Sequence, residues 1–160
     1  MNREHEYDLA LTWTGNDGDG TRTYRGYRRD HTVVAEGRPE LLGSSDPAFR
    51  GDPGRWSPEQ LLVASLSQCH MLWYLHLAST EGIVVVDYQD APTGTMTEHA
   101  AGDGLFREVL LRPRVVIAEG DKAVAEALHG RVGEYCFIAR SVNFPVRHEA
   151  TTIVQTAVAS

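Results

Sequence analysis

The chain reads as an α+β domain with a mostly antiparallel sheet and two main helices, and three observations carry that reading. Two segments repeat apolar residues at helical spacing, 57–79 and 121–139, and the stretches around them alternate apolar and polar residues with a period of two. The resulting order is strands, long helix, strands, helix, strand, which places helices against a sheet rather than between parallel strands. A length of 160 residues suffices for one domain with its own core, so 1–160 is taken as a single unit that needs no disulfide to fold.

The elements follow in order. Tyr7 to Thr14 alternates as a strand, Asn16-Asp17-Gly18-Asp19-Gly20 is a dense turn signal, and Thr21 to Tyr27 alternates again, so the three are read as a hairpin. His31 to Glu36 is a further short strand, and the Gly- and Pro-punctuated loop 37–56 is too long for a plain connector. Ser57-Pro58-Glu59-Gln60 opens a helix for four separate reasons: Ser at the N-cap, Pro at the first helical position, an acid in the first turn, and Gln placed to complete a capping box. That helix runs to about Ser79, with Gly82 as its stop. Leu61, Leu62, Ser65, Leu66, Cys69, Leu72, Trp73, His76 and Leu77 keep the helical period, and Val63, Met71 and Tyr74 widen the apolar surface, so the helix is expected to be central and buried.

Beyond it, Ile83 to Tyr88 is a strand, Ala91 to Gly94 a turn, and Thr95 to His99 the partner of that strand. Phe106 to Ile117 reads as one long strand, edged or bulged at Pro113. Asp121 caps a second helix in which Val124, Ala127, Leu128, Val132, Tyr135, Cys136 and Ala139 recur at helical spacing. Asn143 to Val146 and Thr151 to Ala157 close the chain as extended segments.

Composition narrows the function. Lys and Arg number 15 against 22 Asp and Glu, so a phosphate-tracking surface and a nucleic-acid partner are not expected. Met1 to Leu11 has no apolar signal core, which points to a reducing, cytoplasmic setting. The apolar run Leu61 to Ala78 is interrupted by Ser65, Ser67, Gln68, His70 and His76, so no membrane span is expected either. His70 and His76 are six apart rather than four, and with His99 and His129 elsewhere a His/Cys metal site centred on Cys69 lacks supporting spacing. No Gly-rich phosphate loop follows a strand, and no serine sits in a nucleophile elbow.

The cysteines are more informative, because the chain has only two, Cys69 and Cys136, each in a different apolar segment. A cysteine on an apolar helix face is ordinarily a core residue. Likewise Glu59 in a first turn stabilises the helix dipole by ~0.5 kcal/mol without any catalytic task, and Arg50 alone would be a solvated loop charge. Pro58-Glu59-Gln60-Leu61-Leu62, however, is followed by Cys69 ten positions after the Glu and by a second cysteine 67 residues later. Motif, spacing and second cysteine together resemble the OsmC/Ohr family of thiol-dependent peroxidases, over nearly the whole chain.

The resemblance implies an OsmC-like fold, an intertwined homodimer with its long helices packed inside, and active sites at the subunit interface. It implies that Cys69 attacks an organic hydroperoxide and that Cys136 traps the resulting sulfenic acid as a disulfide. An external thiol, possibly a dithiol such as dihydrolipoamide, then reduces that disulfide, and no metal, haem or flavin is required. Glu59 matches the motif carboxylate that holds an arginine beside the thiolate; the arginine is Arg50 by one branch's arrangement, and Arg22 or Arg25 by another's. The chain departs from the family pattern in having Phe137 where Pro often follows the second cysteine, and His70 where Phe often follows the first. The alternative within the same fold is a non-catalytic protein that binds a small molecule or senses redox state through its thiols.

The chemistry of the residues agrees with this family. The thiolate is the nucleophile, which calls for a nearby cation, and arginine keeps its charge and orients on a carboxylate through two hydrogen bonds. A sulfenic acid escapes over-oxidation only when a second thiol traps it. Ten residues of helix advance roughly 15 Å, so Glu59 cannot touch Cys69 within one straight helix and a bridging arginine or a second subunit must span the gap. Phe49, Trp56, Leu66, Met71 and Phe137 are the apolar residues expected to line a pocket for alkyl or lipid peroxides.

Overall fold

A computed structural model of the chain describes residues 3–156. The chain forms two compact units, one of residues up to Leu61 and one of residues from Leu62 onward.

In the first unit β1 (Ala10–Trp13), β2 (His31–Val34) and β3 (Leu41–Gly43) form an antiparallel sheet in the order β1-β2-β3. The expected hairpin between Tyr7–Thr14 and Thr21–Tyr27 is not what forms: β1 pairs with β2, and 21–27 is a run of turns. The reason is local hydrogen bonding. Asn16 Oδ1 accepts from the backbone N–H of Gly18 and Gly20, which coils the chain on itself. The Arg29 guanidinium then lies over the rings of Tyr24 and Tyr27, 4.5 and 4.1 Å from their centroids, and donates to the backbone carbonyls of both, acceptors a ladder would have needed. Asp30 is buried beneath this excursion, with Arg28 Nη1 at 2.7 Å and Ser44 Oγ donating at 3.3 Å, as a buried carboxylate requires.

Helix α1 (Pro58–Thr80) starts as its sequence signals. The Gln60 N–H donates to Ser57 Oγ at 3.2 Å while the Ser57 N–H donates to Gln60 Oε1 at 3.1 Å, a reciprocal capping box. At the far end Gly82 takes φ 72°, a left-handed conformation suited to glycine, and the Ile83 N–H bonds back to the Ala78 carbonyl at 2.9 Å.

The second unit holds β4 (Val84–Gln89), β5 (Thr93–Glu98), β6 (Gly104–Leu111), β7 (Arg114–Glu119), α2 (Lys122–Val132), β8 (Val146–His148) and β9 (Thr151–Val154). Its strands make two sheets, β4-β7-β9 and β5-β6-β8, each joining one antiparallel pair to one parallel pair. Two expectations are corrected here. The segment 106–117 is not one strand but two, β6 and β7 in different sheets, and β5 pairs with β6 rather than with β4. The break falls at Arg112-Pro113, where proline has no N–H for a ladder; Asp90 secures the corner, accepting from the Arg112 N–H through Oδ1 and from Ser67 Oγ through Oδ2. The extended segment ending at Ala157 is β9 as far as Val154, and Ala157 itself lies outside the described residues.

Both helices differ from expectation in one respect. The buried face of α1 is Leu66, His70, Tyr74, Leu77 and Ala78, while Leu72 is 61% exposed and His76 is exposed, so the core-facing stripe is rotated from the one that spacing suggested. A helix apolar nearly all round has no periodicity that singles out one face. Helix α2 begins at Asp121, whose Oδ1 accepts from the N–H of Ala123 and Val124, but it ends at Val132. Cys136 therefore lies beyond the helix, in the turns that follow, because Gly130 and Gly133 weaken the last turn. Tyr74, Leu77, Ile83, Val115, Ile117, Ala125, Leu128, Val132 and Cys136 form one buried cluster, and Leu66, Val109 and Leu111 a second. Among the described residues no helix is long and apolar enough to cross a membrane.

Candidate active site

The second unit brings the two cysteines together. Cys69, half-buried on the flank of the core-facing stripe of α1, packs against the cluster that contains Cys136 and is close enough to influence that thiol. Both thiols are free. Cys136 is 1% exposed; its backbone N–H bonds to the Val132 carbonyl at 2.9 Å and its Sγ accepts from the Ala139 N–H at 3.4 Å, which fixes the side chain against α1. Burial, and then the neighbouring Cys69, push the Cys136 thiol up to about 11.

A cavity of about 130 Å³ opens beside Cys136. Its lining includes Leu66 and three histidines, His70 from α1, His129 from α2 and His148 from β8. The His70 Nε2 and His129 Nδ1 atoms are 3.0 Å apart, and the His148 ring lies 5.8 and 5.7 Å from the other two. Tyr74 stacks on His129 at 4.1 Å and donates its hydroxyl to the Ala125 carbonyl. Burial first, then the neighbouring His148, lower His70 to about 4; burial first, then His70 and His148, lower His129 to about 3. Both imidazoles are accordingly neutral at pH 7, and His129 Nε2 is buried with no hydrogen-bond partner among the described residues. Among the described residues no group of three or more His, Cys, Asp or Glu side chains is arranged to hold a metal ion.

Of the residues expected to line a pocket, Leu66 lines this cavity. Phe137 does not: it is 69% exposed and packs edge-on to Trp73 at 5.7 Å, with Tyr135 stacked on the same indole at 5.3 Å. The histidine cluster was not anticipated, since residues 70, 129 and 148 share no motif. The available signal was weak: His70 sits four residues from both Leu66 and Tyr74, and a polar residue in a core stripe needs a buried partner.

The first unit holds the other expected site residues. Arg50 closes a short 3-10 turn, Pro47–Phe49, in a left-handed conformation at φ 68°, with its guanidinium 5.9 Å from the Tyr24 centroid. Glu59 lies in the first turn of α1, and its Oε2 is buried without a hydrogen-bond partner among the described residues. No ion pair joins Glu59 to Arg50, Arg22 or Arg25 among the described residues.

Comparison with known proteins identifies the class. The profile of the OsmC-like protein family matches residues 51–151, and the chain belongs to that family. An OsmC-like protein of unknown function from Vibrio cholerae is 32% identical, with a TM-score of 0.81 over 92% of this chain and 99% of that one. An organic hydroperoxide resistance protein from Elizabethkingia anophelis is 14% identical, with a TM-score of 0.63 over 96% and 100% of the two chains. One from Bacillus subtilis is 17% identical, with a TM-score of 0.57 over 91% and 98%. At those lower identities the likeness is one of fold. The curated proteins offer no match.

Proposed function

We propose that this chain is a cytoplasmic, homodimeric, thiol-dependent peroxidase that reduces organic hydroperoxides. The observation that carries the reading is the meeting of two free thiols 67 residues apart in sequence, one of them buried, in a family whose fold is shared by organic hydroperoxide resistance proteins. The Cys69 thiolate attacks the terminal peroxide oxygen, the O–O bond breaks, and the alkoxide leaves as the alcohol after taking a proton. Cys69 is then a sulfenic acid, and Cys136 displaces its hydroxyl as water to form the Cys69–Cys136 disulfide. An external dithiol, of the dihydrolipoamide kind, restores both thiols.

Arg50, oriented by Glu59, is the cation proposed to face the Cys69 thiolate. The buried, unpartnered Glu59 oxygen supports a role in holding such a cation. A second copy of the chain as partner is supported by uncovered apolar residues: Leu9 is 71% and Leu11 67% exposed in the first unit, and Leu72 61% in the second.

The test is intact mass and free-thiol count before and after one equivalent of an organic hydroperoxide. The expected outcome is rapid loss of two hydrogens and of both thiols in the native protein. Cys69→Ser should show no turnover, and Cys136→Ser one turnover followed by over-oxidation. Two persistent thiols and an unchanged mass would instead favour a small-molecule-binding role for the cavity beside Cys136.

A further inference from the structure

Within the peroxidase reading, on which this inference rests, a hydroperoxide must bring its oxygens to Cys69 while its organic part lies against something nearby. Helix α1 carries two neighbouring stripes. Leu66, His70, Tyr74 and Leu77 are buried, whereas Cys69, Leu72, Trp73 and His76 recur at the same helical spacing and stay half-buried or exposed. The second stripe is apolar over most of its length without forming the core, and the thiol stands at its N-terminal end. Trp73 is one turn beyond Cys69, and helical side chains lean toward the N-terminus, which carries the indole toward the turn that holds the thiol. Three rings meet that indole. Tyr135 is stacked on it at 5.3 Å, while Phe137 and His76 stand across it at 71° and 81°, with centroids 5.7 and 5.6 Å away. Tyr135 and Phe137 flank Cys136 in the chain, so the cluster is built from the neighbours of both cysteines.

We propose that this aromatic cluster binds the organic part of the hydroperoxide and selects an aryl group, so that the preferred substrates are compact arylalkyl hydroperoxides. The chemistry of the cluster fits an arene. Phe137 is 69% exposed, a large ring left in water and held edge-on rather than buried, so an incoming ring gains aromatic partners as well as burial. The size fits too. Leu72, Trp73 and His76 line a depression of about 230 Å³, and a cavity of about 150 Å³ suffices for benzene. Among the described residues no carboxylate, arginine or lysine lines that depression, so nothing there pairs with the carboxylate of a fatty-acid hydroperoxide. In an arylalkyl hydroperoxide the ring and the peroxide share one carbon, a span that matches the ~5–6 Å between side chains one turn apart on a helix. A ring seated at Trp73 thereby sets the terminal oxygen at Cys69. Leu72 also lies on the face proposed to meet a second copy, so that copy would close the depression over the ring.

The test compares cumene hydroperoxide with tert-butyl hydroperoxide, which differ by a phenyl group in place of a methyl, under turnover with dithiothreitol. The native protein should favour the cumene compound about tenfold in kcat/KM, and favour it over linoleic acid hydroperoxide as well. In Phe137→Ala the cumene-to-tert-butyl ratio should fall about fivefold, the size of one aromatic pair, and Phe137→Tyr, which keeps a ring, should restore most of it. Trp73→Leu should lower the same ratio; because Trp73 also packs on the core, the exposed Phe137 variants carry the test if that one does not fold. An unchanged ratio in Phe137→Ala, or a native preference for the fatty-acid peroxide, would overturn the proposal. Binding is read separately with 2-phenyl-2-propanol, the redox-inert product of the cumene reaction. It should shift the indole N–H resonance that disappears in Trp73→Phe, at concentrations where tert-butanol does not. A protein that binds this alcohol at Trp73 yet turns over no peroxide would sink the peroxidase reading and leave the aryl site standing. One that reduces both peroxides equally and shows no shift would do the reverse.

Discussion

His70 and His129 bear on the stability of the fold. Each is buried neutral, with its folded value well below the ordinary imidazole value of 6.5, at about 4 and about 3 respectively. The sign follows from linkage: the unfolded chain binds protons at these sites below pH 6.5 and the folded chain does not, so their contribution is complete above that pH and drains away as pH falls toward 4 and 3. At ~1.36 kcal/mol per unit, His70 alone accounts for about 3 kcal/mol across that window. Urea denaturation at pH 7.5 and pH 4.5 should show a large loss of stability in the native protein, and His129→Phe should flatten it. An equal loss in both would mean that carboxylates, not the histidines, set the acid sensitivity.

At the scale of the element, α1 matters most because it carries both Glu59 and Cys69. Its start is held by the reciprocal Ser57–Gln60 bonds, so Ser57→Ala should cost about 1 kcal/mol in denaturant unfolding while leaving the helix content of the folded protein unchanged. Its stop is the left-handed Gly82, and Gly82→Ala should cost about 1 kcal/mol, because a Cβ is disfavoured at φ 72° although nothing lies near enough to clash. Local chemistry made these two boundaries legible in the sequence: caps involve residues three or four apart, and the side chains that satisfy them are characteristic. The end of α2 was not legible in the same way. Val132, Tyr135, Cys136 and Ala139 keep helical spacing past the true end, and the turns that replace the helix there retain i-to-i+4 contacts such as Cys136 N–H to Val132, which preserve the pattern without the element.

For the whole molecule, the homodimer proposed above predicts a sedimentation mass of twice the chain. It also predicts that Leu72→Glu, placed on the uncovered face of α1, shifts the species toward monomer without unfolding it. A native monomer at micromolar concentration would overturn that homodimer. The sequence by itself determined the α+β class, the helix starts at Ser57 and Asp121, and the pair of cysteines as the candidate couple, because capping, periodicity and residue type are local. Only the tertiary structure decided that β1 pairs with β2, that 106–117 divides between two sheets, and that His70, His129 and His148 converge beside Cys136. Strand partners and buried polar clusters join residues tens of positions apart, and packing brings them together where no spacing along the chain records the meeting.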